Sequence, residues 1–371
     1  MTEESTRYDA SHIEVLDGVE AVRKRPGMYV GSTGERGVRH LVFEVADRAV
    51  NEVLAGRARS VDITLMPDGG VRVADDGPGI GDAGLDDLLT RFGGGAPWVG
   101  RHEVPLGFCG LGPAVVNALS CRTTVEVRRE GVRRVRGYAR GVAVTPFAET
   151  GSADGSGTVI TFWPDPDIFD TTECSFEALV ERFRDLAFLN RGLEISLTDA
   201  RGPDEARSER FRFPGGVRDL VDFLDAGTAD PTLTGLIALE CEVPCMAGEL
   251  EIAYQWSGSL YERIRGFANS WPTIGGTHLE GFRAGVAAAL TAYAREHRLP
   301  GLGESGVERI GVGLTAVVSV KLDGPVFEGA TRGVLGDPNV RDRVEQAVRE
   351  HLVRWLTDHP ERAADLIDRL L

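Results

Sequence analysis

Residues 71–80 read VRVADDGPGI, a stretch in which a short strand pattern runs directly into two closely spaced glycines. The alternation over 71–76 predicts a β-strand, and residues 61–66 (VDITLM) predict a partner strand, joined to it by a Pro-Asp-Gly-Gly turn. Asp75 lies at the end of the second strand, and Gly77 and Gly79 would let the backbone approach a ligand closely. A simple hairpin turn is the alternative interpretation of the same residues.

The segment before these strands predicts a helix over residues 35–56. Its apolar residues recur at helical spacing: Val38, Leu41, Val42, Val45, Ala49 and Val53. The same geometry places four polar side chains on one face of this helix, namely Glu44, Arg48, Asn51 and Glu52. These four residues are the first candidates for a functional site.

The rest of the chain predicts two blocks of mixed secondary structure. Residues 92–112 are rich in glycine and predict a loop, after which Pro113 suits the first turn of a helix that runs to about Leu119. The first block continues with strands at 123–130, 132–140, 157–163 and 193–198 and a helix at 175–189. A polar stretch over 199–209 predicts a linker. The second block begins around Phe213, with strands at 250–256 and 314–322 and helices at 279–297 and 340–358. This order indicates two α+β or α/β layers.

The composition is that of a globular protein with a strong negative charge. The chain has 371 residues and a net charge of −16, and each block is long enough to bury its own core. It has no run of about 18 apolar residues, and residues 1–7 are polar, so we expect a cytoplasmic protein without membrane association. The net charge argues against direct DNA binding. The densest basic stretch, residues 128–140, is expected to be the solvated face of a strand pair.

Five cysteines, an odd number, do not indicate a disulfide framework in an intracellular protein. Cys241 and Cys245 are spaced C-x3-C, but no second Cys/His pair lies nearby. We expect plain thiols and no bound metal, with a structural zinc site as the weaker alternative.

Several longer segments carry a resemblance to a known family. They are YDASHIEVLDGVEAVRKRPGMYVGS at 8–32, GTVITFWPDPDIFDTTE at 157–173, LAFLNRGLEISLTD at 186–199 and GGTHLEGFRAG at 275–285. Together they resemble DNA gyrase B, of the GHKL ATPase superfamily, over essentially the whole chain.

The resemblance implies a GHKL (Bergerat) ATPase-like sandwich over residues 1–213, followed by a ribosomal-S5-like transducer domain over 214–371. The chain stops before the family's Toprim domain, so by itself it is not expected to cleave or supercoil DNA. Tyr8 and Ile13 match residues of the family's N-terminal arm, which implies a homodimer formed through that arm.

The resemblance also assigns roles to the candidate site residues. Glu44 matches the general base that polarises the attacking water, and Asp75 matches the aspartate that accepts a hydrogen bond from the adenine amino group. Gly79 and Ile80 belong to the same motif. Thr158 is expected to bond the base or a bridging water. Arg136 matches an arginine at the border of the adenine pocket, where aminocoumarin-type inhibitors also bind in the family.

The metal and phosphate end departs from the family pattern. Arg48 replaces an asparagine that ligates Mg²⁺, and arginine has five donors, no acceptor and a permanent charge. We expect it to pair with Glu44 or Glu52, four residues away on either side. In the phosphate-binding lid, Leu106 replaces a glycine and Cys109 replaces a histidine, and Phe108 belongs to the same apolar lid. A lid lysine is absent at Gly94-Gly95-Ala96, and the transducer loop reads Ala330-Thr331-Arg332 where the family has Gln-Thr-Lys.

These departures predict a degenerate Mg·ATP site in a pocket that is kept at its adenine end. Three functions remain open. The first is a stand-alone paralogue whose pocket binds another small molecule, either as a tailoring or cyclising enzyme of secondary metabolism or as an inhibitor-sequestering resistance protein. The second is an ATPase and transducer fragment of a type II topoisomerase, and Mg·ATP is a cofactor only in that case. The third is a non-catalytic dimerisation partner of gyrase. Under the first, we expect the ligand to offer an N–H or O–H donor to Asp75.

Overall fold

The structure is a computed structural model, and it describes residues 18–92, 112–203, 205–226, 231–298, 309–329 and 331–370, without the side chains of residues 82 and 83. The helices of the first unit are α1 (Gly18–Lys24), α2 (Gly27–Val30), α3 (Glu35–Leu54), α4 (Asp82–Thr90), α5 (Pro113–Ala118) and α6 (Phe176–Leu189). Its strands are β1 (Val61–Leu65), β2 (Val71–Asp75), β3 (Ser120–Arg129), β4 (Val132–Ala139), β5 (Val142–Ala143), β6 (Ala148–Ser152), β7 (Gly157–Pro164), β8 (Ile195–Asp199) and β9 (Arg207–Phe211).

The strands of the first unit form a nine-stranded mixed sheet within the described residues. Its order is β5-β4-β3-β7-β2-β1-β8-β9, and β6 pairs with β4. Strand β1 runs antiparallel to β2 and parallel to β8. The helices cover one face, and the buried side chains of α3, α5 and α6 share a core with Val73 and Ile160 of the central strands. The predicted helix at 35–56 and the strand pair that begins at 61 are confirmed.

The second unit contains helices α7 (Val217–Asp225), α8 (Thr277–Glu296), α9 (Pro338–Asp358) and α10 (Pro360–Leu370). Its strands are β10 (Ile237–Val243), β11 (Gly248–Trp256), β12 (Arg263–Ala268), β13 (Trp271–Thr273), β14 (Gly275–Gly276), β15 (Leu314–Leu322), β16 (Phe327–Glu328) and β17 (Val334–Leu335). Strands β10-β11-β15-β12-β13 form a five-stranded sheet, and β14-β17-β16 a small three-stranded one.

Helix α9 packs closely on α8 because two glycines face it. A Cβ added to Gly281 would lie 2.3 Å from the carbonyl oxygen of Arg341, and one added to Gly285 would lie 2.8 Å from Cβ of Val348. The four-residue spacing of these glycines gives α8 a smooth face, so the two helices meet almost backbone to backbone.

The predicted linker at 199–209 was wrong in part, because residues 207–211 form the edge strand β9. It pairs antiparallel with β8, from Ile195 opposite Phe211 to Asp199 opposite Arg207. Only Phe211 of this strand is buried, and charged side chains are typical of an exposed edge strand. The sequence analysis also missed β10, β12 and α10. Strand β10 alternates in the same way as other strands, with Glu240 and Glu242 outward, but only Ile237 is fully buried and the sequence analysis did not recognise the alternation.

A third apolar cluster joins the two units. Phe188 and Leu189 at the end of α6 pack with α7 and with Phe267 and Val317 of the second sheet. The larger cores remain separate on either side of this seam. Among the described residues, no helix is long and apolar enough to cross a bilayer.

Candidate functional site

The end of β2 and its neighbour β7 form the floor of the candidate pocket. Asp75 lies directly opposite Thr158 across the strand pair, and Thr158 lies opposite Val127 on β3. Asp75 is 4% exposed and Thr158 is 1% exposed, and both face the helix layer with the core residues of their strands. The structure therefore brings together the two residues that were assigned to the adenine end.

Glu44 lies on α3 above this floor, and its side chain is buried. Its Oε2 accepts a hydrogen bond from the backbone N–H of Gly112 at 2.9 Å, where α5 begins. Pro113 occupies the first turn of α5, as the sequence predicted. This bond holds the Glu44 carboxylate at the amino end of α5.

Arg48 does not make its shortest ion pair with Glu44 or Glu52, the two carboxylates on its own helix that were its expected partners. Its Nη1 donates to Oδ2 of Asp75 at 2.7 Å, whereas its Nη2 lies 3.8 Å from Oε1 of Glu52. The expected pairing with Glu52 is therefore present but weak, and the dominant partner is one that the sequence analysis did not consider. Glu52 is itself held by Nε of Arg57 at 2.7 Å. An arginine is long enough to cross from a helix to the strand below, and helical spacing does not reveal such a contact.

The Asp75 carboxylate obtains its donors from the chain. Oδ1 accepts from the backbone N–H of Gly77 at 3.0 Å, and Oδ2 accepts from Arg48. The donor that we expected a ligand to supply is thus provided by the chain itself.

Glycine is required at position 79 for a reason that does not involve a ligand. Its φ is +77°, and an added Cβ would lie 2.7 Å from the carbonyl oxygen of Arg128, so the backbone here packs on β3. Ile80, the next residue, packs against the first core.

Asn51 faces a buried carboxylate on the preceding turn of α3. Its Nδ2 donates to both the backbone oxygen and Oδ1 of Asp47, each at 2.8 Å. Asp47 is only 2% exposed and was not singled out from the sequence. Burial lowers the pKa of Arg182 on α6 to about 10, and the charges of Asp185 and Asp47 oppose that shift. The side-chain amide of Asn51 is thus bound by its own helix.

Arg136 lies on β4, two strands away from β7 and three from β2. Its guanidinium forms an ion pair with Asp86 of α4 and sits 5.5 Å from the ring centre of Tyr138. Burial raises the pKa of Tyr138 to about 12. Arg136, like Arg48, therefore has a carboxylate partner of its own.

The rest of the basic stretch is a paired, solvated strand face, as predicted. Arg133 lies 2.6 Å from Glu126, and Arg134 lies 3.0 Å from Glu149.

The other predicted site residues fall into two groups, one outside the described part of the chain and one between β16 and β17. Leu106, Phe108 and Cys109 lie outside the described residues, as do 94–96, Ala330, Tyr8 and Ile13. Thr331 and Arg332 lie between β16 and β17, and Arg332 adopts a left-handed conformation with φ of 55°. The next residue, Gly333, accepts a backbone hydrogen bond from Ile274 beside β14.

The residues present at the metal end do not suit Mg²⁺. This ion requires oxygen ligands in a tight octahedron, and Arg48 brings a positive charge with donors only. Within the described part of the chain, no group of three or more His, Cys, Asp or Glu side chains is arranged to hold a metal ion.

Comparison with known proteins shows which family the chain belongs to. A family model described as "DNA gyrase B" matches residues 216–371, and one described as "Histidine kinase-, DNA gyrase B-, and HSP90-like ATPase" matches residues 33–168. The gyrase B protein of Streptomyces coelicolor is 44% identical over 395 residues, covering 98% of this chain and 57% of that protein. This chain belongs to the DNA gyrase B family. It spans 57% of the length of this relative.

Other gyrase B proteins give the same result. The novobiocin-sensitive and novobiocin-resistant gyrase B proteins of Streptomyces niveus are 42% and 41% identical, each over 97% of this chain and 57% of the relative. The 43K ATPase domain of Thermus thermophilus gyrase B, solved in complex with an aminocoumarin, superposes with a TM-score of 0.76. It is 32% identical, covering 96% of this chain and 94% of that one. The two units are thus a GHKL ATPase-like sandwich and a transducer domain, as the resemblance implied.

Proposed function

We propose that this gyrase B-type chain binds a small molecule other than Mg·ATP in its ATPase-type pocket and does not turn over ATP. The observation that carries the proposal is the 2.7 Å ion pair between Arg48 and Asp75. It places a guanidinium on the carboxylate that the family resemblance assigns to the adenine amino group.

Occupation of Asp75 weakens nucleotide binding at the base. An adenine amino group would have to displace Arg48 from a carboxylate whose side chain is only 2% exposed. A guanidinium that leaves its partner in a partly buried site must be rehydrated or paired again, and this opposes nucleotide binding. The same side chain removes an oxygen ligand from the metal end. One residue thus disfavours both the base and the Mg²⁺ ion.

The biological role has two versions that share this pocket. One is an enzyme of secondary metabolism, such as a tailoring or cyclising enzyme, and the other is a protein that sequesters a gyrase inhibitor. The second version is supported by the aminocoumarin complex of the Thermus thermophilus relative and by the novobiocin-resistant relative in Streptomyces niveus. Sequestration requires tight binding without turnover, whereas an enzyme must release an altered product.

The second candidate function is that of a topoisomerase ATPase fragment. Glu44 favours it, because this residue is retained, buried and anchored at the start of α5. We also propose that the two domains meet near residue 213, with a GHKL ATPase-like domain over 1–213 and a transducer domain over 214–371. The separate matches at 33–168 and 216–371 support this division.

Phosphate release with Mg·ATP tests the proposal directly. We expect no turnover above that of a Glu44→Ala variant, while the corresponding fragment of the Streptomyces coelicolor relative serves as the positive control. Turnover that requires Glu44 would overturn the proposal in favour of the ATPase. Native mass spectrometry of the purified protein, with and without candidate inhibitors and metabolites, then separates a retained ligand from a converted one.

A further inference from the structure

Arg48 has donor capacity that its two ion pairs do not use. A guanidinium carries five N–H donors in a planar fork. One of them is directed to Asp75 at 2.7 Å, and Glu52 lies at 3.8 Å, beyond normal hydrogen-bond length. No further hydrogen bond or ion pair of Arg48 is found among the described residues, and its side chain is 16% exposed.

A buried hydroxyl lies on the strand next to the residue that Arg48 binds. Oγ1 of Thr158 is buried and has no hydrogen-bond partner in the described part of the chain. Thr158 is the cross-strand neighbour of Asp75, so the two side chains project from the same face of the sheet. A buried hydroxyl without a partner is costly, and it can either donate or accept a hydrogen bond.

The surrounding charges decide which acceptor fits. Asp75 and Glu52 both lie against Arg48, and Glu44 lies one turn earlier on the same helix face. A ligand carboxylate would gain one guanidinium but would be repelled by these carboxylates. A neutral carbonyl oxygen accepts from the same N–H groups and carries no net charge to be repelled.

We propose that Arg48 determines the ligand specificity of this pocket, selecting neutral molecules that present a carbonyl acceptor, such as a lactam, amide or ketone. Ligands that present an amino group to Asp75 are rejected, because Arg48 already occupies that position. This inference rests on the proposed function and narrows it from an unspecified small molecule to one chemical class.

Three purines test the inference with little change in shape. Hypoxanthine carries a carbonyl at C6, adenine carries an amino group there, and purine carries hydrogen. Hypoxanthine O6 can accept from Arg48 while its N1–H donates to Thr158. Dissociation constants are measured on the full chain by ligand-observed NMR. We expect hypoxanthine to bind most tightly and adenine most weakly, with about a tenfold difference, the size typical of a hydrogen bond to a charged group.

Two variants separate the contributions of the ion pair. Arg48→Asn frees Asp75 and is expected to reverse the order, so that adenine binds more tightly than hypoxanthine. Asp75→Asn removes the competing carboxylate and is expected to strengthen hypoxanthine binding without improving adenine binding. This second variant keeps the test valid if the first fails to fold. Arg72→Asn is the matched control, because Arg72 lies on the same strand but alternates to the opposite face of the sheet.

A wild-type protein that prefers adenine, or that binds none of the three purines at millimolar concentration, overturns the specificity assignment. An unchanged order in folded Arg48→Asn also overturns it. Phosphate release measured on the same samples reports separately on the proposed function. Turnover that depends on Glu44 would refute the absence of ATPase activity, whatever the order of the purines.

Discussion

The pocket and the seam between the two units both place an arginine against a buried aspartate, but the two pairs are built differently. At the seam, Arg265 donates two hydrogen bonds to the carboxylate of Asp185, at 2.8 and 2.6 Å. Beside it, Arg182 donates to the backbone oxygen of Ser270 at 2.9 Å. In the pocket, Arg48 makes one short bond to Asp75 and keeps N–H donors that no described residue accepts. A bidentate pair fixes the geometry of both partners, whereas a single hydrogen bond leaves the other N–H donors of the guanidinium available.

The largest expected effect concerns catalysis in the pocket. We expect ATP turnover at least about 100-fold below that of the Streptomyces coelicolor relative, because metal and base contacts are lost together and each 1.36 kcal/mol is about tenfold in rate. Arg48→Asn alone should not restore it, since the family resemblance assigns Leu106, Cys109 and Ala330 to further departures at the phosphate end. Steady-state phosphate release measures this. Family-like turnover in the single variant would show that the pocket differs from a working one by only one residue.

The next effect tests the seam. Asp185→Ala leaves Arg265 facing a buried position without its partner, and we expect a loss of about 3 kcal/mol in the free energy of unfolding. Urea denaturation followed by circular dichroism measures it. The control is Glu149→Ala, which breaks the exposed pair with Arg134 and should cost less than about 0.5 kcal/mol. Equal losses in the two variants would mean that the seam pair is no more than a surface contact.

Acid should destabilise the second unit through His278. This residue is fully buried at the start of α8, and its Nε2 is hydrogen-bonded to Thr273 of β13 at 2.9 Å. Burial lowers its pKa from 6.5 to about 4. The unfolded chain therefore binds a proton more readily between those values, so stability is lost as the pH falls from 6.5 towards 4.

The expected loss is about 1 to 2 kcal/mol between pH 6.5 and pH 5, from a slope of at most about 1.4 kcal/mol per pH unit. His278→Gln cannot titrate there, so the stability difference between wild type and variant should shrink as the pH falls. A difference that stays constant with pH would show that His278 does not report on this transition. Burial also lowers the pKa of His40 in the first unit to about 4. Because His40 is present in both the wild type and the His278→Gln variant, its contribution cancels in the stability difference.

The smallest effect is the coupling within the pocket pair. A double-mutant cycle with Arg48→Met and Asp75→Leu should give about 1 kcal/mol, and a parallel cycle on Arg265 and Asp185 should give more. Equilibrium unfolding of the four proteins in each cycle provides both values. A pocket coupling larger than the seam coupling would remove the distinction between the two pairs, and Arg48 would then be a structural clamp.

The sequence was sufficient for the fold class and for naming the candidate site residues, but not for their contacts. Residues 314–322 formed a strand as predicted, because a long apolar β-branched run has no competing interpretation. The edge strand at 207–211 was lost because its exposed charges look like a linker. Glu44, Asp75 and Thr158 could be located from motifs alone.

The bond from Arg48 to Asp75 could not be predicted in this way. It joins residues 27 positions apart through a tertiary contact that helical periodicity does not encode. The same holds for Arg136 and Asp86, which are 50 positions apart. Sequence patterns therefore located the polar groups of the pocket but left open which of them neutralise one another.

The Arg48–Asp75 pair also bears on how this pocket could be converted to nucleotide binding. Loss of Asp75 alone leaves the Arg48 guanidinium without its short partner in a partly buried site, and it also removes the acceptor that an adenine amino group would need. Loss of Arg48 alone leaves Asp75 with the backbone N–H of Gly77 as a donor and with an oxygen that a ligand donor can reach. The two ends of the pair are therefore not equivalent, and a laboratory selection for ATP binding should change Arg48 and retain Asp75.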